Sequence, residues 1–141
     1  MNNANIINTE KYSDERGLLI SFNSFDMSVI KRMYEIIPAN TEIIRAWQGH
    51  KIEHKWFYCI SGKFKVNLIK IDNFENPSEV QIIEEYILDS QEPKILHIPG
   101  GYLNGFKSLE ENSKLIVFSN TGLNELESDD YRFDKTLWNK W

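Results

Sequence analysis

The 141-residue chain has a single cysteine, Cys59, so no disulfide framework can be built. Cys59 sits in the apolar run Trp56-Phe57-Tyr58-Cys59-Ile60, where a thiol behaves as a small buried hydrophobe. This cysteine usage fits a reducing compartment. The first residues, Met1-Asn2-Asn3-Ala4-Asn5-Ile6-Ile7, lack the basic start and long apolar core of a signal peptide. No apolar run approaches the roughly 20 residues that a membrane-spanning helix requires. A soluble, cytoplasmic protein with no membrane partner is therefore expected. Positive charge is not in excess either: 16 Lys and Arg stand against 21 Asp and Glu, a net charge of -5, with no long block of one sign. A nucleic-acid surface needs a basic stripe to displace counterions, so no DNA or RNA partner is expected. Internal repeats and low-complexity segments are also missing.

What is present is enough apolar material for one core. The hydrophobic content is 41% and the aromatic content 13%, and the length suits one domain spanning residues 1–141. Strand-like segments follow one another: Leu18–Phe22, Ser28–Ile37, Glu42–Trp47, Lys55–Ile60, Lys63–Asp72, Val80–Leu88, Ile95–Ile98 and Lys114–Ser119. Short strands with few helical signals predict an all-β sandwich or barrel. Ser61-Gly62, between two apolar runs, reads as a tight hairpin, since glycine takes the positive φ such turns need. The alternation in Lys63-Phe64-Lys65-Val66-Asn67-Leu68 puts Phe64, Val66 and Leu68 on one face, expected to line the interior. Residues 73–78 read as an exposed loop. The tail from Asn124 to Trp141 is acidic, then aromatic; a short helix or packing across a partner subunit is open to it, and Trp138 and Trp141 argue against simple disorder.

The chemistry-bearing residues concentrate in two runs, Arg45-Ala46-Trp47-Gln48-Gly49-His50-Lys51-Ile52-Glu53-His54-Lys55 and Pro99-Gly100-Gly101-Tyr102-Leu103-Asn104-Gly105-Phe106. Two regions of a barrel can bring such clusters to one mouth. The pattern resembles the two motifs of the cupins, with Gln48 and His50 at the histidine pair, His54 at the glutamate, Gly62 at the turn and Asn104 at the last histidine. The resemblance implies a cupin-like double-stranded β-helix, a jelly-roll barrel with a short C-terminal tail. Two of its four metal positions are then amides, weak donors to a divalent transition metal, so neither a metal nor another cofactor is expected. A metal-dependent cupin using His50, His54 and His97 is the alternative that elemental analysis decides. His97 alternates with apolar neighbours, a pattern that also suits the opposite face of the sheet.

From Tyr12 to Phe133 the sequence resembles the dTDP-4-keto-6-deoxyglucose 3,5-epimerases and, more closely, the 3,4-ketoisomerases. The match rests on Asp14-x-Arg16-Gly17, Lys31-Arg32-x-Tyr34, Arg45 with Gln48-Gly49-His50-Lys51, Gly62, Ile98-Pro99 and Asp130-Tyr131-Arg132. The resemblance implies an isomerase or epimerase of a nucleotide-linked 4-keto-6-deoxy sugar, working through an enolate in polysaccharide or deoxysugar biosynthesis. That chemistry needs a base for the proton beside the ketone and a donor for the enolate oxygen. Gln48 stands where the family places a histidine, and an amide is no base, so the role passes to His50 or His54. Arg45, Arg16 and Lys31 are candidates for the diphosphate, and Trp47, Tyr58 and Tyr102 for stacking on sugar or base. Gln48 and Asn104 complete the expected substrate contacts. Each has a plainer reading as well: a structural histidine, a surface ion pair, a solvated Lys31-Arg32 pair or a core aromatic. Because two reactive positions are amides, the competing function is a non-catalytic cupin that binds a sugar nucleotide or glycan. The resemblance further implies a homodimer.

Overall fold

The computed structural model describes residues 3–138 and 141. Its strands are β1 (Asn5–Asn8), β2 (Glu10–Asp14), β3 (Gly17–Ser21), β4 (Arg32–Ile36), β5 (Arg45–His50), β6 (Lys55–Ser61), β7 (Lys63–Lys70), β8 (Ile83–Asp89), β9 (Lys94–Ile98), β10 (Tyr102–Ser108), β11 (Lys114–Ser119) and β12 (Tyr131–Arg132). They form two antiparallel five-stranded sheets, ordered β1-β9-β6-β11-β4 and β12-β5-β10-β7-β8, while β2 and β3 make a separate hairpin. This is the expected cupin-like jelly-roll architecture. Among the described residues no helix is long and apolar enough to cross a membrane.

The pleat sorts side chains between the sheets and outside them. Phe64, Val66 and Leu68 of β7 are fully buried and meet Phe57, Leu96, Leu115 and Val117 of the opposite sheet. Phe106 joins them edge-on to Phe57, with ring centroids 5.4 Å apart. Removing one such large side chain from water stabilises the fold by roughly 1.5–3 kcal/mol. The alternate residues of the first sheet, Trp56, Ile95 and Phe118, face outward and are covered by Phe22, Phe25 and Ile30. The outer face of the second sheet is covered by the tail: Phe133, Trp138 and Trp141 pack over Trp47, Ile69 and Leu103. The tail thus contains a short 3-10 turn at Glu127–Asp129, forms β12 and lies on its own chain's sheet.

The Gly62 turn differs from the sequence reading. Gly62 does take a positive φ of 72°, but β6 pairs with β9 and β11 whereas β7 pairs with β8 and β10. The chain therefore crosses from one sheet to the other there, because a single residue between two long strands is too short for a paired hairpin loop. A Cβ at Gly62 would also collide with the Ser113 side chain. The second motif, which carried no expected strand, supplies the start of β10 in the middle of its sheet. The expected strand at Ser28–Ile37 begins only at Arg32, because Met27–Val29 form a short 3-10 turn capped by Asp26.

Candidate active site

Strand register assembles the site. Gln48 of β5 lies opposite Asn104 of β10 and Arg132 of β12, so three polar side chains share one row across three strands. His50, two residues on from Gln48, shares its face. From the opposite sheet, Lys55 enters on the inner side of β6, next to the inward-facing Phe57. Arg45, Gln48, Lys55, Asn104 and Arg132 border a cavity of about 360 Å³ whose apolar wall is Tyr34, Ile36, Phe57, Phe106 and Val117. Tyr34, Arg45, Gln48, Lys55 and Arg132 also border an adjoining cleft of about 700 Å³, which adds Arg32, His50, Glu53 and Asp130.

His50 is 7% exposed and is held by the segment before β12. Its Nδ1 lies within hydrogen-bonding reach of the Asp129 carbonyl oxygen. A carbonyl can only accept, so Nδ1 carries the proton and Nε2 is left with a lone pair. Among the described residues Nε2 is buried without a partner. Burial, aided by the nearby Lys55 charge, holds the imidazole below its ordinary pKa of 6.5, against the opposing pull of Asp129 and Glu53. The ring is therefore neutral at neutral pH with its basic nitrogen free. Asp129 also accepts from the backbone N–H groups of Lys51, Ile52 and Glu53, at 2.7, 3.0 and 3.0 Å, which fixes the turn after His50. Buried Glu53 accepts from Ser119 Oγ at 2.6 Å and lies 3.6 Å from Arg32 Nη2.

Lys55 is 5% exposed, and its Nζ donates to Gln48 Oε1 at 3.3 Å. A buried ammonium bordering a cavity offers strong stabilisation to any negative charge that develops there. Sequence reasoning passed over Lys55, Arg132, Glu53 and Asp129. The one available signal was parity: Cys59 reads as buried, and Lys55, four residues before it, shares its face.

Of the expected site residues, the structure brings together His50, Arg45, Gln48 and Asn104. Trp47 borders the cavity while its indole packs among Ile69 and Leu103 and donates to the Leu137 carbonyl at 3.0 Å. The others lie elsewhere. His54 has the parity of Trp56 and so faces outward; its Nδ1 is 2.9 Å from His97 Nε2, and His97 stacks on Trp56 at 4.8 Å. Tyr58 shares that outer face, packed against Phe22. Tyr102 is core, its hydroxyl accepting from the Ala4 N–H at 3.1 Å. Arg16 pairs with Asp14 in the β2–β3 turn, and Lys31 pairs with Glu125 at the surface. Among the described residues no group of three or more His, Cys, Asp or Glu is arranged to hold a metal ion.

All three histidines are depressed by burial, His97 to about 4 with His54 adding to the effect. The unfolded chain then binds protons that the folded chain refuses, so stability is complete above pH 6.5 and falls as pH drops towards 4. The melting temperature should decline across that window and flatten in His97→Gln. An unchanged melting temperature between pH 6.5 and 4 would contradict the placement of these rings.

The family model described as WxcM-like, C-terminal (FdtA) matches residues 2–140. The chain belongs to this family. Its similarity to the probable low-salt glycan biosynthesis epimerase Agl13 of Haloferax volcanii is 25% identity over 128 residues, covering 84% of this chain and 77% of that protein. Among solved structures, the FdtA-family chain resembles the 3,4-ketoisomerase QdtA of Thermoanaerobacterium thermosaccharolyticum, a double mutant in complex with TDP. The TM-score is 0.72 at 24% identity, covering 94% of this chain and 89% of that one. It also resembles the dTDP-4-dehydrorhamnose 3,5-epimerase of Bacillus anthracis with TDP and PPi bound. There the TM-score is 0.78 at 17% identity, covering 99% and 85%. These likenesses establish the jelly-roll fold that carries the site.

Proposed function

We propose that the chain isomerises or epimerises a nucleotide-linked 4-keto-6-deoxy sugar through an enolate, in glycan or deoxysugar biosynthesis. The observation that carries this reading is the pairing of opposites at one cleft: a neutral imidazole with a free Nε2 at His50, and a buried ammonium at Lys55. His50 Nε2 takes the proton from the carbon beside the ketone, and the electron pair moves onto the carbonyl oxygen as an enolate. Lys55 stabilises that oxygen. In a ketoisomerisation the proton returns to the former carbonyl carbon while the neighbouring hydroxyl becomes the new ketone and its proton passes to the enolate oxygen, which becomes a hydroxyl; in an epimerisation the proton returns to the same carbon from the other face.

Arg45, Arg132 and Arg32 border the cleft and suit a diphosphate, since guanidinium groups bind its oxygens in pairs. The TDP in the QdtA structure and in the epimerase structure supports a TDP-sugar as the first substrate to try. Incubation with TDP-4-keto-6-deoxyglucose and related keto sugars, followed by NMR, should give a new isomer. Saturable binding without any product would favour the non-catalytic alternative, and no binding at all would overturn both.

We also propose a homodimer. The β2–β3 hairpin pairs with no other described strand and exposes Tyr12, Leu18 and Leu19 at 61%, 59% and 59%, an apolar surface suited to a second copy. Light scattering should return twice the chain mass of 16.6 kDa. A monomer at micromolar concentration would contradict it.

A further inference from the structure

One amide joins two charged groups at the cavity wall. Gln48 Nε2 donates to Asp130 Oδ1 at 3.2 Å, and Lys55 Nζ donates to Gln48 Oε1 at 3.3 Å. The three residues come from separate places in the fold: Gln48 from β5, Lys55 from β6 and Asp130 from the residue just before β12. The direction of the amide is not arbitrary. Partial burial opposes ionisation of Asp130, but the hydrogen bond from Gln48 and the charge of Arg132 outweigh it and hold the carboxyl below its usual range. A carboxylate only accepts and an ammonium only donates. Gln48 must therefore turn its NH₂ to Asp130 and its oxygen to Lys55, because the flipped amide would set like partial charges together at both ends.

The consequence lies in what this arrangement withholds from Lys55. Its bond to Gln48 is to a neutral oxygen, and the described residues give it no ion pair. A carboxylate at position 48 would hold the ammonium equally well but cancel its charge, whereas an amide orients it through a dipole and leaves the charge uncompensated. We propose that Asp130 and Gln48 form a positioning relay that aims the Lys55 ammonium into the cavity with its full charge available. The relay rests on the reading of Lys55 as the group that stabilises the enolate oxygen. Neither relay member need touch the reacting atoms.

Two readouts test the relay, the first of them independent of the reaction. In protein labelled with ¹⁵N-lysine, a protected ammonium resonance should appear that is absent from Lys55→Met, and it should shift or broaden in both Gln48→Leu and Asp130→Asn. Kinetically, Gln48→Leu should lower kcat by about 10–100-fold with KM within about twofold, as expected for loss of a hydrogen bond to a charged group. Asp130→Asn should act in the same direction but less, roughly 3–10-fold, because it only frees the amide to turn. Gln48→Glu should also lower kcat, by pairing with Lys55 directly. Asp130 is surface-exposed, so its variant reports even if Gln48→Leu fails to fold. A Lys55 resonance unchanged in the folded variants, a full kcat in Gln48→Leu, or a loss confined to KM would overturn the relay. If the wild-type protein transforms no keto sugar, the enzymatic reading falls, and the resonance alone decides whether Asp130 and Gln48 position Lys55.

Discussion

Replacing His50 with glutamine is expected to lower kcat on the keto sugar by about 10²–10⁴-fold, the usual contribution of a positioned general base. Glutamine approximates the reach of the imidazole and can still donate to the Asp129 carbonyl, so the fold and the proposed substrate contacts at Arg45 and Arg132 should persist. What disappears is the Nε2 lone pair. The sign of the pH dependence follows from the same geometry. Burial holds His50 below 6.5, and only its neutral form can take a proton. The wild-type rate should therefore fall on the acid side with a midpoint below 6.5, and the residual rate of His50→Gln should lose that limb. Steady-state rates between pH 5 and 8, with melting temperatures as a control, provide the measurement. Full activity in a folded His50→Gln protein would remove His50 from the reaction.

The second large effect is expected at Lys55. Lys55→Met should lower kcat by about 10²–10³-fold, comparable to removing a preorganised donor from an oxyanion site. Stability should move differently. Lys55 is buried with one neutral partner, and an apolar side chain of similar length relieves the desolvation of its charge, so the melting temperature should hold or rise. A variant that is slower yet no less stable separates a catalytic charge from a structural one. If Lys55→Met lost stability and kept its rate, the ammonium would be a structural feature of the barrel wall.

Much of the barrel could be read from the chain because its strands alternate cleanly. Phe64, Val66 and Leu68 lie inside as their spacing requires, and Cys59 is buried in its apolar run, its thiol pushed up to about 11. The elements that escaped notice lack that signal. β1 is mostly polar at its ends, β12 has two residues, and β10 contains Asn104 and Gly105, so it gives no clear strand signal until its pairing with β7, from Tyr102–Lys70 to Ser108–Phe64, is seen. The site was half legible for a related reason. The motif Arg45-x-x-Gln48-x-His50 lies on one strand, and period-two spacing keeps Gln48 and His50 together. Beyond His50, the turn at residues 51–54 breaks the strand and resets parity, so His54 faces outward and Lys55 inward. No sequence distance announces that Asp129 and Asp130, about eighty positions away, close over the same residues. That contact exists only because β12 pairs with β5.

The His50 assignment and the enolate reading stand or fall together on proton exchange at carbon. The direct measurement is incubation of the protein with TDP-4-keto-6-deoxyglucose in D₂O, with NMR of the recovered sugar. The wild-type protein should introduce deuterium at a carbon adjoining the ketone, and His50→Gln should introduce none above the uncatalysed background on the same timescale. Turnover to a new isomer with no deuterium at those carbons, or equal incorporation by the wild-type and His50→Gln proteins, would contradict an enolate formed by His50.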